Sequence, residues 1–95
     1  MYRIKPYTKR QAKKLGVKVQ SSTRKGKKID VFKMKKGIWV KVASVGAEGY
    51  ADYPTYMQNK GKKYADERRR LYKIRHAKDR KVRGSNGWYA DKLLW

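Results

Sequence analysis

The sequence predicts an α+β domain, a small antiparallel sheet built on a central hairpin and packed against one long basic amphipathic helix and short helices. Three observations carry this expectation. Residues 29–34 and 38–45 are rich in β-branched and aromatic side chains and flank Lys35-Lys36-Gly37, which suits a hairpin loop with Gly in the left-handed position. Residues 62–81 repeat apolar side chains with helical spacing among many cations. Cysteine is absent, so neither disulfides nor a zinc ribbon can hold the chain, and folding rests on apolar burial. Three Trp, eight Tyr and one Phe supply that area within 95 residues, a length that suits one small domain, residues 1–95.

Tyr2-Arg3-Ile4-Lys5-Pro6-Tyr7 alternates like a short edge strand, with Pro6 near its end where a missing donor is tolerated. Thr8-Lys9-Arg10-Gln11 has the capping-box spacing, which places a short helix over about residues 9–15, burying Ala12 and Leu15 and stopping at Gly16. Residues 21–28 are small, polar and basic without an apolar period. They read as a mobile loop whose hydroxyls and ammoniums either order around phosphates or remain solvated. In the hairpin, Ile38, Val40 and Val42 share the face expected to meet the core. Trp39 lies on the other face, either as a stacking surface or covered by a neighbouring segment.

Pro54 suits the first turn of a helix, with Asp52 placed to cap it. Tyr50, Tyr53 and Tyr56 recur every three residues, a spacing that makes either a strip for stacking bases or a wedge between sheet and helix. In the long helix, Tyr64, Ala65, Leu71, Tyr72 and Ile74 fall on one broad side, with Arg69, Lys73, His76 and Arg80 opposite. Arg75 and Asp79, four residues apart on the apolar side, are expected to pair as a partly buried ionic brace. The triplet Tyr-Ala-Asp occurs at Tyr50, Tyr64 and Tyr89 at unequal intervals, which points to helix-start chemistry rather than a repeat. Gly84 and Gly87 punctuate the turn before a short apolar helix whose Trp88, Leu94 and Trp95 are expected to fold back over the sheet, or else to form a docking patch.

Charge points to the partner. With 28 Lys and Arg against seven Asp and Glu, the formal charge is +21, well beyond what solubility requires, and an anionic macromolecule relieves the self-repulsion. Catalysis is not expected: the single histidine, His76, has no clustered acids beside it, and the chain carries no Gly-rich phosphate loop, HExxH or GxSxG. Neither a metal site nor a cofactor is expected. No apolar run approaches the length of a membrane span, which suggests a soluble protein of a reducing compartment or of a particle assembled there. The expected nucleic-acid contacts are Arg69, Lys73, His76 and Arg80 on the long helix, with Arg24, Lys25, Lys27 and Lys28 as a second cluster. They contact phosphates without reading bases, and double-stranded DNA is the favoured partner.

Taken together, GKKIDVFK, VASVGAEGYADYPTY, YADERRRLYKIRHAKD and GWYADKLLW resemble a family of small basic proteins encoded by large double-stranded DNA viruses of algae and amoebae. The likeness covers most of the chain, and its specificity lies in the combination, since no segment is a catalytic signature. It implies a viral origin, and a place in the virion or in the host nucleus or cytoplasm during infection. The resemblance brings no activity or site residues with it; the excess charge makes genome packaging or condensation the expected role, with a structural virion protein that docks to capsid subunits as the alternative.

Overall fold

The computed structural model describes residues 2–95. In chain order the elements are α1 (Pro6–Leu15), β1 (Val17–Ser21), β2 (Lys27–Lys35), β3 (Ile38–Ala47), α2 (Tyr53–Lys60), α3 (Lys62–Arg75), a 3-10 turn (Asp79–Lys81) and α4 (Asn86–Leu94). The strands form one antiparallel sheet in the order β1-β2-β3, so the domain is α+β as expected.

The first element among the described residues is a helix. Residues 2–5 form no strand, and Pro6 opens α1, where its fixed φ and missing N–H are both suited to the first helical position. The capping box does not form: Thr8 lies inside α1, buried, and its Oγ1 donates 2.9 Å to the Leu93 carbonyl oxygen. Gly16 ends the helix as expected, with φ 72° and its N–H directed to the carbonyls of Ala12 and Lys13.

The hairpin turn is Lys36-Gly37, both at positive φ (49° and 82°), with Lys35 paired to Ile38. That is the two-residue turn whose twist matches its strands. The third strand, β1, is an addition to the sequence expectation. Val17 and Val19 alternate over too few residues to announce a strand, but β1 pairs with β2 from Val17↔Lys33 to Ser21↔Ile29.

Ile29, Val31, Ala43 and Val45 are buried against Ala12 of α1 and Tyr89, Leu93 and Leu94 of α4. The facing of β3 differs from the expected one. Val31 pairs with Ala43 but Phe32 with Lys41, so Val42 is a bulge that switches the alternation. Ala43 and Val45 meet the core, while Val42 is only partly buried. Ile38, 64% exposed, lies where the hairpin runs past the helical layer, and Met34 and Trp39 are exposed there too.

The layer covering the sheet is also corrected: it consists of α1 and α4, while α3 packs on α2 and reaches α4 through side chains such as Tyr72 and Lys73. The long helix stops at Arg75 rather than continuing to residue 81. Arg80 helps to end it: its Nε donates to the Lys73 carbonyl, one of the last-turn acceptors left without a helical partner. Both expected devices at α2 are present, Pro54 in the first turn and Asp52 as cap, accepting from the Thr55 N–H at 3.1 Å. Ser85 caps α4 by accepting from the Trp88 N–H. Gly87 then allows the Asp79 backbone to lie so close that a Cβ would sit 2.9 Å from its carbonyl oxygen. The C-terminal segment is core: Leu93 and Leu94 are fully buried and Trp95 lies parallel to Tyr72 at 4.4 Å.

Candidate nucleic-acid interface

Three of the seven carboxylates, Asp30, Asp52 and Asp91, are buried in the fold. Asp52 is buried at the start of α2, where Lys28 Nζ donates at 2.9 Å, the Tyr2 hydroxyl at 2.7 Å and Thr55 Oγ1 at 2.7 Å. Burial would raise its pKa, but these donors and the Lys28 charge outweigh it and hold the carboxyl below its usual range. The same pairing pushes the Tyr2 phenol up, first through burial and then through the bond to Asp52. Asp30, buried on β2, accepts from Ser22 at 2.6 Å and Ser44 at 2.7 Å, with Lys41 Nζ 3.9 Å away. Burial again opposes the charged form, and these hydrogen bonds prevail, so its pKa is lowered.

Asp91, buried on α4, accepts from Lys73 Nζ at 2.7 Å through Oδ1. Its Oδ2 has no hydrogen bond and feels Lys92 at 3.8 Å and Arg80 at 4.0 Å. The Tyr-Ala-Asp triplets therefore differ from the expected helix-start role in two of three cases. Only Asp52 caps a helix; Asp66 lies inside α3 and Asp91 inside α4. What they share is a lysine partner, Lys28, Lys62 and Lys73 respectively.

These ion pairs engage several of the expected contact residues. Lys28 is 5% exposed and committed to Asp52. Lys73 and Arg80 surround Asp91. Arg69 reaches between α1 and α2: its guanidinium lies 3.5 Å from the Tyr53 ring centroid and Nη2 donates to the Tyr7 hydroxyl, leaving a buried Nε without a partner. His76 stacks on Tyr72 at 4.4 Å and its Nδ1 lies 3.4 Å from Asp79. The brace is thus on the face assigned to phosphates, whereas Arg75 and Asp79, expected to form it, are exposed and unpaired with each other. Arg24 and Lys25 are exposed in a tight turn between β1 and β2, and Lys27 is half-buried at the start of β2.

The cations left over lie elsewhere on the surface. Lys9, Arg10, Lys13 and Lys14 line the exposed side of α1, and Lys33, Lys35 and Lys36 stand around the hairpin end beside Met34, Ile38 and Trp39. Seven of the 28 Lys and Arg side chains (28, 41, 62, 70, 73, 80 and 92) pair with carboxylates.

Between the end of β3, α3 and α4 lies a cleft of about 530 Å³. Tyr50, Tyr56, Tyr72 and Trp95 line it together with Lys27, Arg68, Arg75 and His76. Tyr72 is held between two stacked rings, His76 on one side and Trp95 on the other, each 4.4 Å away. Trp95 in turn meets Tyr56 at 6.1 Å, and the Arg68 guanidinium lies 5.5 Å from the Tyr56 ring. The tyrosines spaced by three part company here. Tyr53 is buried against Tyr7 and Arg69, Tyr56 enters the cleft wall, and Tyr50 stands 75% exposed at the cleft. The triad spacing is the signal for this cleft in the sequence, but Trp95 and the two arginines join it only through folding.

Among the described residues, no group of three or more His, Asp or Glu side chains is placed to hold a metal ion, and no helix is long and apolar enough to cross a membrane. No family model, no curated protein and no solved structure matches the chain.

Proposed function

We propose that this chain is a non-enzymatic, largely sequence-independent nucleic-acid-binding protein. Its favoured partner is double-stranded DNA of a viral genome, in packaging or condensation. The supporting observation is the disposition of charge. Asp30, Asp52, Asp66, Glu67 and Asp91 are each taken up by Lys or Arg, so the excess of +21 is carried by cations without carboxylate partners. Phosphates exchange their condensed counterions for such cations, and the release of those ions drives binding. The contacts are distributed over α1, the hairpin end and the β1–β2 turn, which favours backbone tracking over the reading of base edges. Arg24, Lys25 and Lys27 remain in this interface, and the exposed lysines of α1 and the hairpin replace Lys28, Lys73, Arg80 and Arg69.

The test is a titration against two duplexes of unrelated sequence across salt concentrations. Log affinity should fall linearly with log salt at about −0.9 per phosphate neutralised, with the same slope for both duplexes. Absence of binding at low salt, or a strong preference for one sequence, would refute the proposal.

A second reading, a structural virion protein docked to acidic capsid subunits, draws on the exposed Met34, Ile38 and Trp39 among the hairpin lysines. Stable assembly with a capsid protein by size exclusion, without DNA binding, would favour it.

A further inference from the structure

We infer that the cleft between β3, α3 and α4 takes a single unpaired nucleotide, its base on the aromatic wall and its phosphate on Arg68, Arg75 and Lys27. The inference rests on the nucleic-acid reading and deepens it, by naming the feature of the polymer that the protein grips in addition to its charge.

The aromatic wall is built around Tyr72. Tyr72 has both faces occupied, by His76 and Trp95, and is buried, so it acts as a rigid backing. Trp95 and Tyr56 are only half-buried, and Tyr50 is 75% exposed with no other ring against it. An exposed tyrosine at the same opening as a fixed aromatic stack can close on a planar heterocycle, and base–aromatic stacking tolerates any base because each presents a π face.

The rim of the cleft is cationic. Arg68 and Arg75 pair with no carboxylate, nor does Lys27. The carboxylate that lines the cleft, Asp79, lies beside His76, and Lys28 on the wall is already neutralised by Asp52. The opening therefore keeps a cationic surplus next to its rings, the combination that a nucleotide monophosphate unit requires. Size agrees: about 530 Å³ falls within the range of roughly 300–1,000 Å³ typical of small-ligand sites. A paired base inside a duplex cannot present its face, so the cleft engages a strand end, a gap or a single strand.

The test compares the intact protein on a thymidine oligonucleotide and on an abasic strand of equal length, which carry the same phosphates, and on thymidine monophosphate alone. Binding is followed by affinity and by the Trp95 indole resonance, identified with a Trp95→Phe variant. The thymidine strand should bind about 5- to 150-fold more tightly than the abasic strand, the range of one base–aromatic stack, and should shift the Trp95 signal. Tyr50→Ala should erase that preference while leaving abasic binding unchanged, and the exposure of Tyr50 makes folding failure no obstacle. Arg75→Ser should weaken the nucleotide-dependent shift. Equal affinity for both strands with an unmoved Trp95 signal overturns the cleft inference and leaves the phosphate reading intact. Failure of every polymer to bind, with a Trp95 shift from thymidine monophosphate, overturns the polymer reading and keeps the cleft as a site for a free nucleotide. No response to any of the three removes both.

Discussion

Replacing Lys28 by Met tests the central rearrangement of charge in this fold. Met preserves most of the length and volume of the side chain while removing its ammonium. In the folded protein Asp52, 1% exposed, would keep its bonds from Thr55 and Tyr2 but lose the donor 2.9 Å away that neutralises it. Removing one partner of a buried ion pair costs about 3–5 kcal/mol. That is a large part of the roughly 5–15 kcal/mol that holds an ordinary domain together. At about 4–8 °C per kcal/mol for a chain of this size, the melting temperature should fall by roughly 12–40 °C. Circular dichroism melts at pH 7 measure this directly. Acidification supplies an internal control. The folded pKa of Asp52 is depressed, so its contribution is complete above the unfolded value of about 3.9 and is lost as pH falls through the lower folded value. The gap between wild type and variant should therefore narrow as pH drops below about 4, the ordinary range of aspartate. A variant that melts within about 2 °C of wild type, and whose DNA-binding salt slope flattens by about one unit, would refute the reasoning and return Lys28 to the phosphate interface.

Three further outcomes follow from the same structure. Joint replacement of Lys73 and Arg80 by Ser should destabilise the domain by about 2–3 kcal/mol, somewhat less than a fully buried pair because both side chains are partly exposed, and should leave the salt slope of DNA binding unchanged. Replacing exposed Lys33, Lys35 and Lys36 by Ser should do the reverse, leaving the melt within a few degrees while reducing the slope by about one unit for each phosphate that the variant no longer neutralises. Gly87→Ala should cost about 1–3 kcal/mol in denaturant titrations, because the new methyl meets the Asp79 Cβ at 2.7 Å and its carbonyl carbon at 3.0 Å.

The local features of this chain were legible because they depend on neighbours in sequence. Gly16 stops α1, Lys36-Gly37 turns the hairpin and Asp52 caps α2, each through backbone geometry spanning a few residues. The apolar C-terminus could be expected to pack, since exposing Leu93 and Leu94 forfeits burial worth about 1.5–3 kcal/mol each. Strand and helix patterning likewise carried the α+β class, and composition the surplus of cations. A helical wheel, in contrast, reports which residues share a side and nothing about what the opposite element presents. It set Lys73 and Arg80 outward because no residue between them signals Asp91, buried on another helix. It joined Arg75 to Asp79 by assuming a helix that in fact ends at Arg75. Lys28 looked like part of a solvated loop until β2 brought it against a carboxylate 24 residues away. Ion pairs over such separations exist only after the chain has closed the intervening loops. For a protein so rich in cations, tertiary structure alone decides which few are structural and which remain available to a partner.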